Sequence, residues 1–184
     1  KMTVFAVLMR LREICCDPRL VADNWTGSSA KLDACLELVT EAVAGGHRIL
    51  LFSQFTSMLE LLAKRLDEAG VSHFTLQGST PKPVRAEQVR RFNQGEADVF
   101  LISLRAGGTG LNLTAADIVI HYDPWWNLAA QNQATDRAYR IGQRNPVQVY
   151  RLIAQDTIEE KIVELQQAKQ SLADTVTGGA DGAI

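Results

Sequence analysis

Five short apolar runs, each rich in β-branched or aromatic residues, recur along this sequence at intervals too long for hairpins. They cover residues 48–52, 73–76, 98–102, 117–121 and 147–153. Runs that are apolar on both faces are typical of strands buried in a parallel sheet, and the segments between them have the apolar spacing of helices. Strands that alternate with helices in this way predict an α/β domain, a parallel sheet with helices on both faces.

Helical periodicity also extends beyond the strands. The helices predicted outside the sheet are Met2 to Cys16, Lys31 to Val43, and Asp156 to Val176. Between the strands, the helix predicted from Pro83 to Asn93 would turn its apolar side chains inward, namely Val84, Val89 and Phe92. At 184 residues with 46% hydrophobic positions, the chain suits one packed core.

The charge balance excludes a globally basic nucleic-acid binder, since 19 Lys+Arg stand against 21 Asp+Glu and give a net charge of -2. Any site for a polyanion must therefore be local. No apolar run reaches the roughly 18 residues that cross a bilayer, and Arg10 and Arg12 interrupt the start where a signal peptide would stay apolar. We therefore expect an intracellular protein with no membrane partner.

The cysteines and histidines do not predict a metal site. Cys15 and Cys16 are adjacent, Cys35 stands alone, and the sequence has no Cys-x-x-Cys pair that would hold zinc. The three histidines lie far apart in the sequence and beside no acidic or cysteine cluster. We expect structural thiols, and histidines that belong to the fold.

The segment from Gln133 to Gln143 contains Arg137 and Arg140, which are three residues apart. On a helix this spacing places both guanidinium groups on one face, within reach of a single polyphosphate. Taken alone, the spacing fits two solvated surface arginines, one paired with Asp136, equally well. Four arginines and no acidic residue from Arg137 to Arg151 favour an anion site, because the net charge of the whole chain is negative.

A glycine-rich segment, Ser103 to Leu113, follows the third predicted strand and bears Arg105. Such loops let backbone N–H groups approach phosphates closely. The segment is not a Walker loop, because the Lys-Ser/Thr pair is missing, and it does not fit the dinucleotide fingerprint, because Leu113 occupies the third glycine position. A tight turn explains three glycines about as well as a ligand does, unless Arg105 points into the same crevice.

Two adjacent tryptophans follow the fourth predicted strand, in the segment Asp123-Pro-Trp125-Trp126-Asn127. Neighbouring side chains at a strand exit cannot both point inward, so at least one of the two rings is expected to be available to a partner. A stacking platform for nucleotides and a docking surface for another domain would each use such a ring.

The sequence lacks the groups that an independent NTPase or hydrolase needs. It contains no Gly-x-x-x-x-Gly-Lys-Ser/Thr loop, no Asp-Glu pair at a strand end suited to magnesium, and no nucleophile, histidine and acid set. We therefore expect that the chain cannot assemble an NTPase site alone, but can act on a nucleotide held by another lobe, as an arginine finger does. Lys1 precedes Met2, which suggests residues cut from a longer polypeptide.

These motifs together closely resemble the C-terminal RecA-like lobe of Swi/Snf-type, superfamily-two ATPases, the DNA translocases of chromatin remodelling and their bacterial relatives. The resemblance covers nearly the whole chain, and the combination of Arg-Ala-Gly-Gly-x-Gly-Leu-Asn-Leu with Arg-x-x-Arg-Ile-Gly-Gln is highly specific. The matching segments are the lead-in helix at 11–18, the lobe entry at 29–32, motif IV at 49–55, residues 76–80 with Arg85 and 92–93, motif V at 101–113, motif VI at 136–143, and the start of a bracing helix at 158–162. Two departures are Asp17, where the family often has His, and Leu128, where Pro usually follows Trp-Asn.

The resemblance implies a role for each matching residue. Arg137 and Arg140 would be arginine fingers. The residues facing the nucleotide would be Gly108, Gly110 and Gln143, and those facing the DNA backbone would be Arg85, Arg105 and Trp126. It also implies ATP with Mg²⁺ as cofactors, held mainly by a first lobe that this sequence lacks, and it implies double-stranded DNA and that N-terminal ATPase lobe as partners. No metal ligand is assigned within the chain.

The resemblance also implies an organisation: a lead-in helix and linker over residues 1–30, the RecA-like lobe over 31–155, and a bracing helix with a frayed tail over 156–184. The function that the resemblance favours is that of the second lobe of an ATP-driven double-stranded DNA translocase, a lobe that is inactive as an ATPase alone. The alternatives are a non-catalytic interaction module that has lost its motor, and a lobe of a strand-separating helicase. The expected location is the cytoplasm, at the nucleoid in a bacterium, or the nucleus in a eukaryote, and the compact linkers favour a bacterial member.

Overall fold

The structure is a computed structural model that describes residues 3–103, 111–136 and 146–178. Within these ranges, the helices are α1 Val4–Cys16, α2 Ala30–Ala44, α3 Thr56–Glu68, α4 Lys82–Asn93, α5 Leu128–Asp136 and α6 Ile158–Gly178. The strands are β1 Ile49–Ser53, β2 His73–Leu76, β3 Val99–Ser103, β4 Ile118–His121 and β5 Gln148–Arg151. A single 3-10 turn, Pro18–Leu20, follows α1.

The five strands form one sheet in the order β2-β3-β1-β4-β5, and every neighbouring pair is parallel. In the register of the sheet, Ile49 of β1 lies opposite Val99 of β3 on one side and Ile118 of β4 on the other. All residues of β1, β3 and β4 are buried. The predicted parallel sheet is therefore confirmed, because strands covered on both faces need the apolar runs that the sequence contains.

Side chains of β1 alternate between two apolar cores, one on each face of the sheet. Ile49 and Leu51 pack in one core with the buried residues of α2 and α3, whereas Leu50 and Phe52 pack in the other with Phe92 of α4. Successive side chains of a strand point to opposite faces, so each strand contributes to both cores. Helices consequently cover the sheet on both sides, as predicted.

The predicted helices and strands lie within two residues of the observed ones, but two predictions about burial are wrong. Val84 was predicted to face inward and is 47% exposed. The reason is that α4 packs on the sheet through its second half, where Val89 and Phe92 lie, while its first turn stays exposed. The run at 147–153 was predicted to be apolar on both faces, but β5 is an edge strand whose Tyr150 is exposed.

The cysteine thiols behave as core side chains. Cys16 and Cys35 are buried, and burial raises the pKa of the Cys35 thiol to about 12. In the part of the chain that the structure describes, no group of three or more His, Cys, Asp or Glu side chains has the geometry to hold a metal ion. None of the described helices combines the length and the apolar character needed to cross a membrane.

His121, at the end of β4, generates a prediction about pH dependence. Its ring is buried, stacks on Phe52 with 5.5 Å between ring centroids, and contacts Trp125 edge-on at 5.9 Å. Burial, with a smaller contribution from the charge of Arg151, lowers the pKa of His121 to about 4. In the unfolded chain the imidazole therefore takes up a proton first as the pH falls, and the fold loses stability between the unfolded pKa and the folded one.

We expect the free energy of unfolding of the wild-type chain to fall by about 2 kcal/mol between about pH 7 and about pH 5 from this group alone. Both His121→Phe and His121→Asn should remove that part of the pH dependence, although their packing differs and their absolute stabilities will differ too. Urea unfolding of the three proteins across this pH range measures the effect. A pH slope that is unchanged in both variants would contradict it.

Candidate functional site

The loops that follow the parallel strands meet at one edge of the sheet, and a buried carboxylate joins two of them. Asp123, in the loop after β4, accepts a hydrogen bond from Ser53 Oγ at 2.5 Å and from the backbone N–H of Gln54 at 3.2 Å. Burial raises the pKa of Asp123 to about 6, and the hydrogen bonds from Ser53 and Gln54 only partly oppose that effect. The carboxylate is thus ionised at neutral pH and needs these donors, so it fixes the end of β1 against the loop after β4.

A cleft of about 540 Å³ opens at the same edge, between the loops that follow β1 and β2 and the last residue of β3. Its lining residues are Glu13, Gln54, Phe55, Thr56, Ser57, Gln77, Gly78, Ser79 and Ser103. Helix α3 begins in this cleft, and Phe55 gives no side-chain hydrogen bond to its first turn. Met58 and Leu59 donate their N–H groups to Phe55 O, so the N–H groups of Thr56 and Ser57 are left for solvent or a ligand, and together with the neighbouring hydroxyls they suit a phosphate oxygen.

The two tryptophans after β4 have different environments, as the sequence led us to expect. Trp125 is buried, with its ring edge-on to Phe52 at 6.4 Å between centroids. Trp126 is only half-buried, and the guanidinium of Arg12 lies 5.6 Å from the centroid of its ring. Trp126, the predicted DNA-facing residue, is thus the accessible member of the pair.

The departure from the family pattern at Leu128 is explained by its place in the fold. Leu128 is the first residue of α5. The first position of a helix is where Pro is most readily accommodated, because its missing N–H has no intrahelical partner there, and any good helix former can take the same place. Asn127 Oδ1 accepts a hydrogen bond from the N–H of Ala130 at 3.2 Å and so caps the helix.

The second departure from the family pattern, Asp17, is also explained by a structural role of its side chain. Its carboxylate is fully buried, and Oδ1 accepts hydrogen bonds from Arg19 N at 2.8 Å and from Arg19 Nε at 2.9 Å. The side chain therefore caps the 3-10 turn that leads out of α1. Asp17 stabilises the path of the chain between α1 and α2 and does not line the cleft.

Arg85, a second predicted DNA contact, is a half-buried residue of α4, the helix that follows β2. The strand order places β3 and β1 between β2 and β4, the strand that precedes Trp126. Since neighbouring strands are about 4.8 Å apart, Arg85 and Trp126 follow strands that are about 14 Å apart. The structure does not bring these two residues together.

Six of the predicted site residues lie outside the described residues: Arg105, Gly108, Gly110, Arg137, Arg140 and Gln143. The elements that lead to them are described. Ser103 ends β3 directly before the glycine-rich segment, and Asn93 holds the far end of that segment, donating to Asn112 O at 2.8 Å and accepting from Ala115 N at 3.4 Å. Helix α5 ends at Asp136, immediately before Arg137.

A buried lysine joins the ends of β4 and β5 to helix α6. Lys31 Nζ donates to Tyr122 O at 2.9 Å and to Leu152 O at 3.1 Å, and it forms an ion pair with Glu159 of α6. Both charged side chains of the pair are almost completely buried. Lys31 therefore uses all three of its protons to hold the ends of β4 and β5 against the first turn of α6.

Comparison with known proteins identifies the family. A family model described as the helicase conserved C-terminal domain matches residues 30–142. The chain belongs to this family. The solved structure of the C-terminal part of the Fun30 ATPase domain superposes with a TM-score of 0.72 and 33% identity, over 85% of this chain and 53% of that one. The RecA-like fold predicted for the helicase C-terminal domain is thereby confirmed.

Three curated relatives of this helicase C-terminal domain are named as ATP-dependent enzymes. An uncharacterized ATP-dependent helicase of Mycoplasma pneumoniae is 42% identical over 92% of the chain, and the putative ATP-dependent helicase/translocase YwqA of Bacillus subtilis is 43% identical over 96%. The chromatin-remodeling ATPase INO80 of Aspergillus terreus is 47% identical over 90%. The chain spans 16%, 20% and 10% of their respective lengths. The resemblance to Swi/Snf-type ATPases is confirmed by these relatives.

Contacts across long sequence separations were missed by sequence reasoning. The matching motifs included Lys31 and Gln54, but nothing in their local pattern indicated that Lys31 reaches Glu159, 128 positions away, or that Gln54 joins the loop after β4. A serine and a lysine at a helix start are usually a cap and a solvated cation. The weak signal was the pair Ser29 and Lys31 directly before the first apolar residue of α2.

The buried pair of Lys31 and Glu159 leads to a stability prediction for the helicase C-terminal domain. Lys31→Met should lower the free energy of unfolding by about 3 kcal/mol or more, because it leaves the Glu159 carboxylate buried without its cation. Lys31→Met combined with Glu159→Gln should recover part of that loss. Denaturant unfolding of the chain measures both.

Lys161→Met provides the matched control, because Lys161 pairs with Glu164 on the exposed side of α6 at 3.3 Å. An exposed pair of this kind contributes about 1 kcal/mol or less. Equal losses for Lys31→Met and Lys161→Met, or a double variant worse than Lys31→Met alone, would refute the role given to Lys31.

Proposed function

We propose that this helicase C-terminal domain is the second lobe of an ATP-driven double-stranded DNA translocase. The lobe supplies arginine fingers and contacts to the DNA backbone, and it does not hydrolyse ATP by itself. The observation that carries the proposal is the path of the chain after β4: the loop that bears Trp126 continues into α5, and α5 ends directly before Arg137 and Arg140. One continuous segment thus joins the residue proposed for DNA to the residues proposed for the nucleotide.

ATP and Mg²⁺ are held mainly by the N-terminal lobe in this proposal. The sequence has no phosphate-binding lysine loop, and the described residues contain no cluster of carboxylates that fits Mg²⁺. The share of this lobe is electrostatic: Arg137 and Arg140 stabilise the charge that develops on the transferring phosphoryl group, while Gly108, Gly110 and Gln143 face the nucleotide. Separate lobes are well suited to this division, because closing them completes the site.

DNA is bound through its phosphates in this proposal, without base recognition. Arg85 and Trp126 follow β2 and β4, two strands that end at the same edge of the sheet, and Arg105 follows β3 in the sequence. The cleft at the start of α3 lies at the same edge and offers N–H and hydroxyl donors to a further phosphate. Contacts of this kind track the backbone and are strongly dependent on salt.

Strand separation is the second candidate activity, because two of the relatives are named as helicases. We rank translocation first because the third relative is named as a chromatin-remodeling ATPase and the name of the second includes translocase.

The full-length parent should displace a third strand from a DNA triplex in an ATP-dependent manner and leave a forked duplex paired. Unwinding of the fork would favour the helicase. A parent without a phosphate-binding loop would favour the non-catalytic module.

The arginine fingers give the central prediction. In the full-length parent, Arg137→Ala or Arg140→Ala should lower kcat by about 10³-fold or more while KM for ATP changes little, because the contact is made in the transition state. Arg→Lys at either position should also give a low kcat, since an ammonium lacks the planar fork of donors. Steady-state ATPase assays with saturating DNA measure these changes.

Two controls accompany the finger variants. Arg65→Ala should keep normal turnover, because Arg65 lies in the last turn of α3, far from the edge where that helix begins. The isolated 184-residue chain should show no ATP hydrolysis with or without DNA. Turnover by the isolated chain, or near-normal activity of both alanine variants, would refute the proposed division between the lobes.

The backbone contacts give a separate prediction. Arg85→Ala or Arg105→Ala in the parent should weaken binding equally on unrelated duplexes and reduce the slope of log affinity against log salt by about one unit per lost contact. Arg90→Ala is the matched control, because Arg90 lies on the same helix as Arg85, is exposed, and pairs with Glu87. Binding lost on one duplex and kept on another would indicate base recognition.

A further inference from the structure

Two side chains from opposite ends of the chain hold consecutive carbonyl groups of the loop after β4. Arg12 of α1 donates from Nη2 to Pro124 O at 3.3 Å. Gln166 of α6 donates from Nε2 to Trp125 O. The next residue of the loop is Trp126, and α5 begins two positions later. One side chain of α1 and one of α6 therefore bind the loop immediately before the half-buried Trp126.

Arg12 is a buried cation that contacts the loop after β4, the loop after β1 and Met9 of its own helix. It is 3% exposed, and it also donates to Gln54 Oε1, which joins it to the loop after β1. Its guanidinium lies 5.4 Å from the ring of Phe55 and 5.6 Å from the ring of Trp126. Burial lowers the pKa of Arg12, with the charge of Asp123 opposing that effect. Only a planar group with several donors can reach these carbonyl, amide and ring partners together.

Gln166 joins the bracing helix both to the loop and to α5. The side chain is 4% exposed, and besides Trp125 O its Nε2 donates to Gln131 Oε1 at 3.3 Å. Gln131 is a buried residue of α5, and the same Oε1 accepts from Trp125 N at 3.3 Å. The backbone of Trp125 is thus bonded on both its N–H and its C=O, and the orientation of α5 is fixed relative to α6.

The polar groups of Arg12 and Gln166 cost free energy to bury, and a side chain that only fills space would not need them. Burying a guanidinium or an amide costs free energy unless every donor is satisfied, and an apolar residue of similar volume often stabilises a fold as well. A fully bonded buried network instead selects one geometry. Both Arg12 and Gln166 direct their donors to the same short loop, so the geometry that they select is that of Trp126 and the first turn of α5.

We propose that Arg12 and Gln166 are positioning residues for DNA-stimulated hydrolysis, a role that rests on the proposed function. Arg12 orients the ring of Trp126 toward DNA, and Gln166 orients α5, the helix that precedes Arg137 in the sequence. Neither residue contacts DNA or nucleotide. Their effect on rate follows from geometry, because a shift of about 1 Å in a reacting group costs up to about 10²-fold in rate.

The geometry can be tested on the 184-residue chain itself by fluorine NMR with fluorotryptophan, since the chain has three tryptophans. Trp25→Phe and Trp126→Phe assign the signals. Arg12→Lys should move the Trp126 signal and Gln166→Met should move the Trp125 signal. Arg10→Lys and Lys161→Met, exposed positions on the same two helices, should move neither. Arg12→Met replaces Arg12→Lys if the lysine variant does not fold. Unmoved signals in folded Arg12 and Gln166 variants would overturn the proposal.

The consequence can be tested in the full-length parent. Arg12→Lys and Gln166→Met should each lower kcat at saturating DNA about tenfold or more, with KM for ATP within about twofold, because the misplaced groups act in the transition state. Adding Arg12→Lys to Trp126→Ala should cause little further loss, since the ring that Arg12 positions is already absent. Arg10→Lys and Lys161→Met should keep wild-type rates.

The outcomes separate the two proposals. If the wild-type parent hydrolyses ATP in response to DNA and the two positioning variants match it, the inference about Arg12 and Gln166 is wrong while the proposed function stands. If the loss in the Arg12→Lys, Trp126→Ala double variant is the full product of the single losses, Arg12 does not act through Trp126. If the wild-type parent shows no response to DNA, the proposed function fails and the positioning role fails with it.

Discussion

The pairing of β1 with β3 on one side and β4 on the other is the interaction on which the rest of the structure depends. It places Ser53 opposite Ser103 and Phe52 opposite His121. Because every pair is parallel, all strands end at one edge, and the loops that follow them become neighbours although they lie far apart in the sequence. Ser53 can therefore donate to Asp123, 70 positions away, and the candidate site exists only because that register holds.

Much of the fold was predictable from the sequence, because a strand covered on both faces must be apolar at every position. That rule identified the buried strands β1, β3 and β4. It failed for β5, which lies at the border of the sheet, and for the first turn of α4, because both are exposed. The site was only partly predictable. Two adjacent tryptophans after a strand predicted one accessible ring, and Trp126 supplies it, while the prediction for Arg137 and Arg140 lies outside the described residues. Lys31 and Gln166, in contrast, looked like ordinary polar residues of amphipathic helices. Their partners are separated by 91 and 41 positions, and no local pattern encodes such a contact.

Buried polar side chains account for how the edge of the sheet is held. Lys31 joins the ends of β4 and β5 to α6, Asp123 joins β1 to the loop after β4, and Arg12 joins that loop to α1. None of these contacts is required for apolar burial, and each carries a desolvation cost that packing alone would avoid. Their common result is a fixed arrangement of carbonyl and ring groups at the edge. Under the proposed function, a lobe that closes as a rigid body over a nucleotide would need that arrangement more than it would need extra stability.

The loop between β4 and α5 is the point where these contacts converge, so it joins the motions of the flanking helices to those of the site. A displacement of α6 that breaks the bond to Trp125 O leaves a buried carbonyl unsatisfied, which costs about 1–3 kcal/mol, whereas Pro124 O keeps its hydrogen bond from Gln54 Nε2 when the bond from Arg12 is lost. Couplings of that size change an equilibrium by about 5- to 150-fold. Gln166 therefore couples the position of α6 to the loop that precedes Trp126 and to α5, and Arg12 of α1 contacts the ring of Trp126 directly. The helices outside the sheet are in this sense part of the site that the sheet builds.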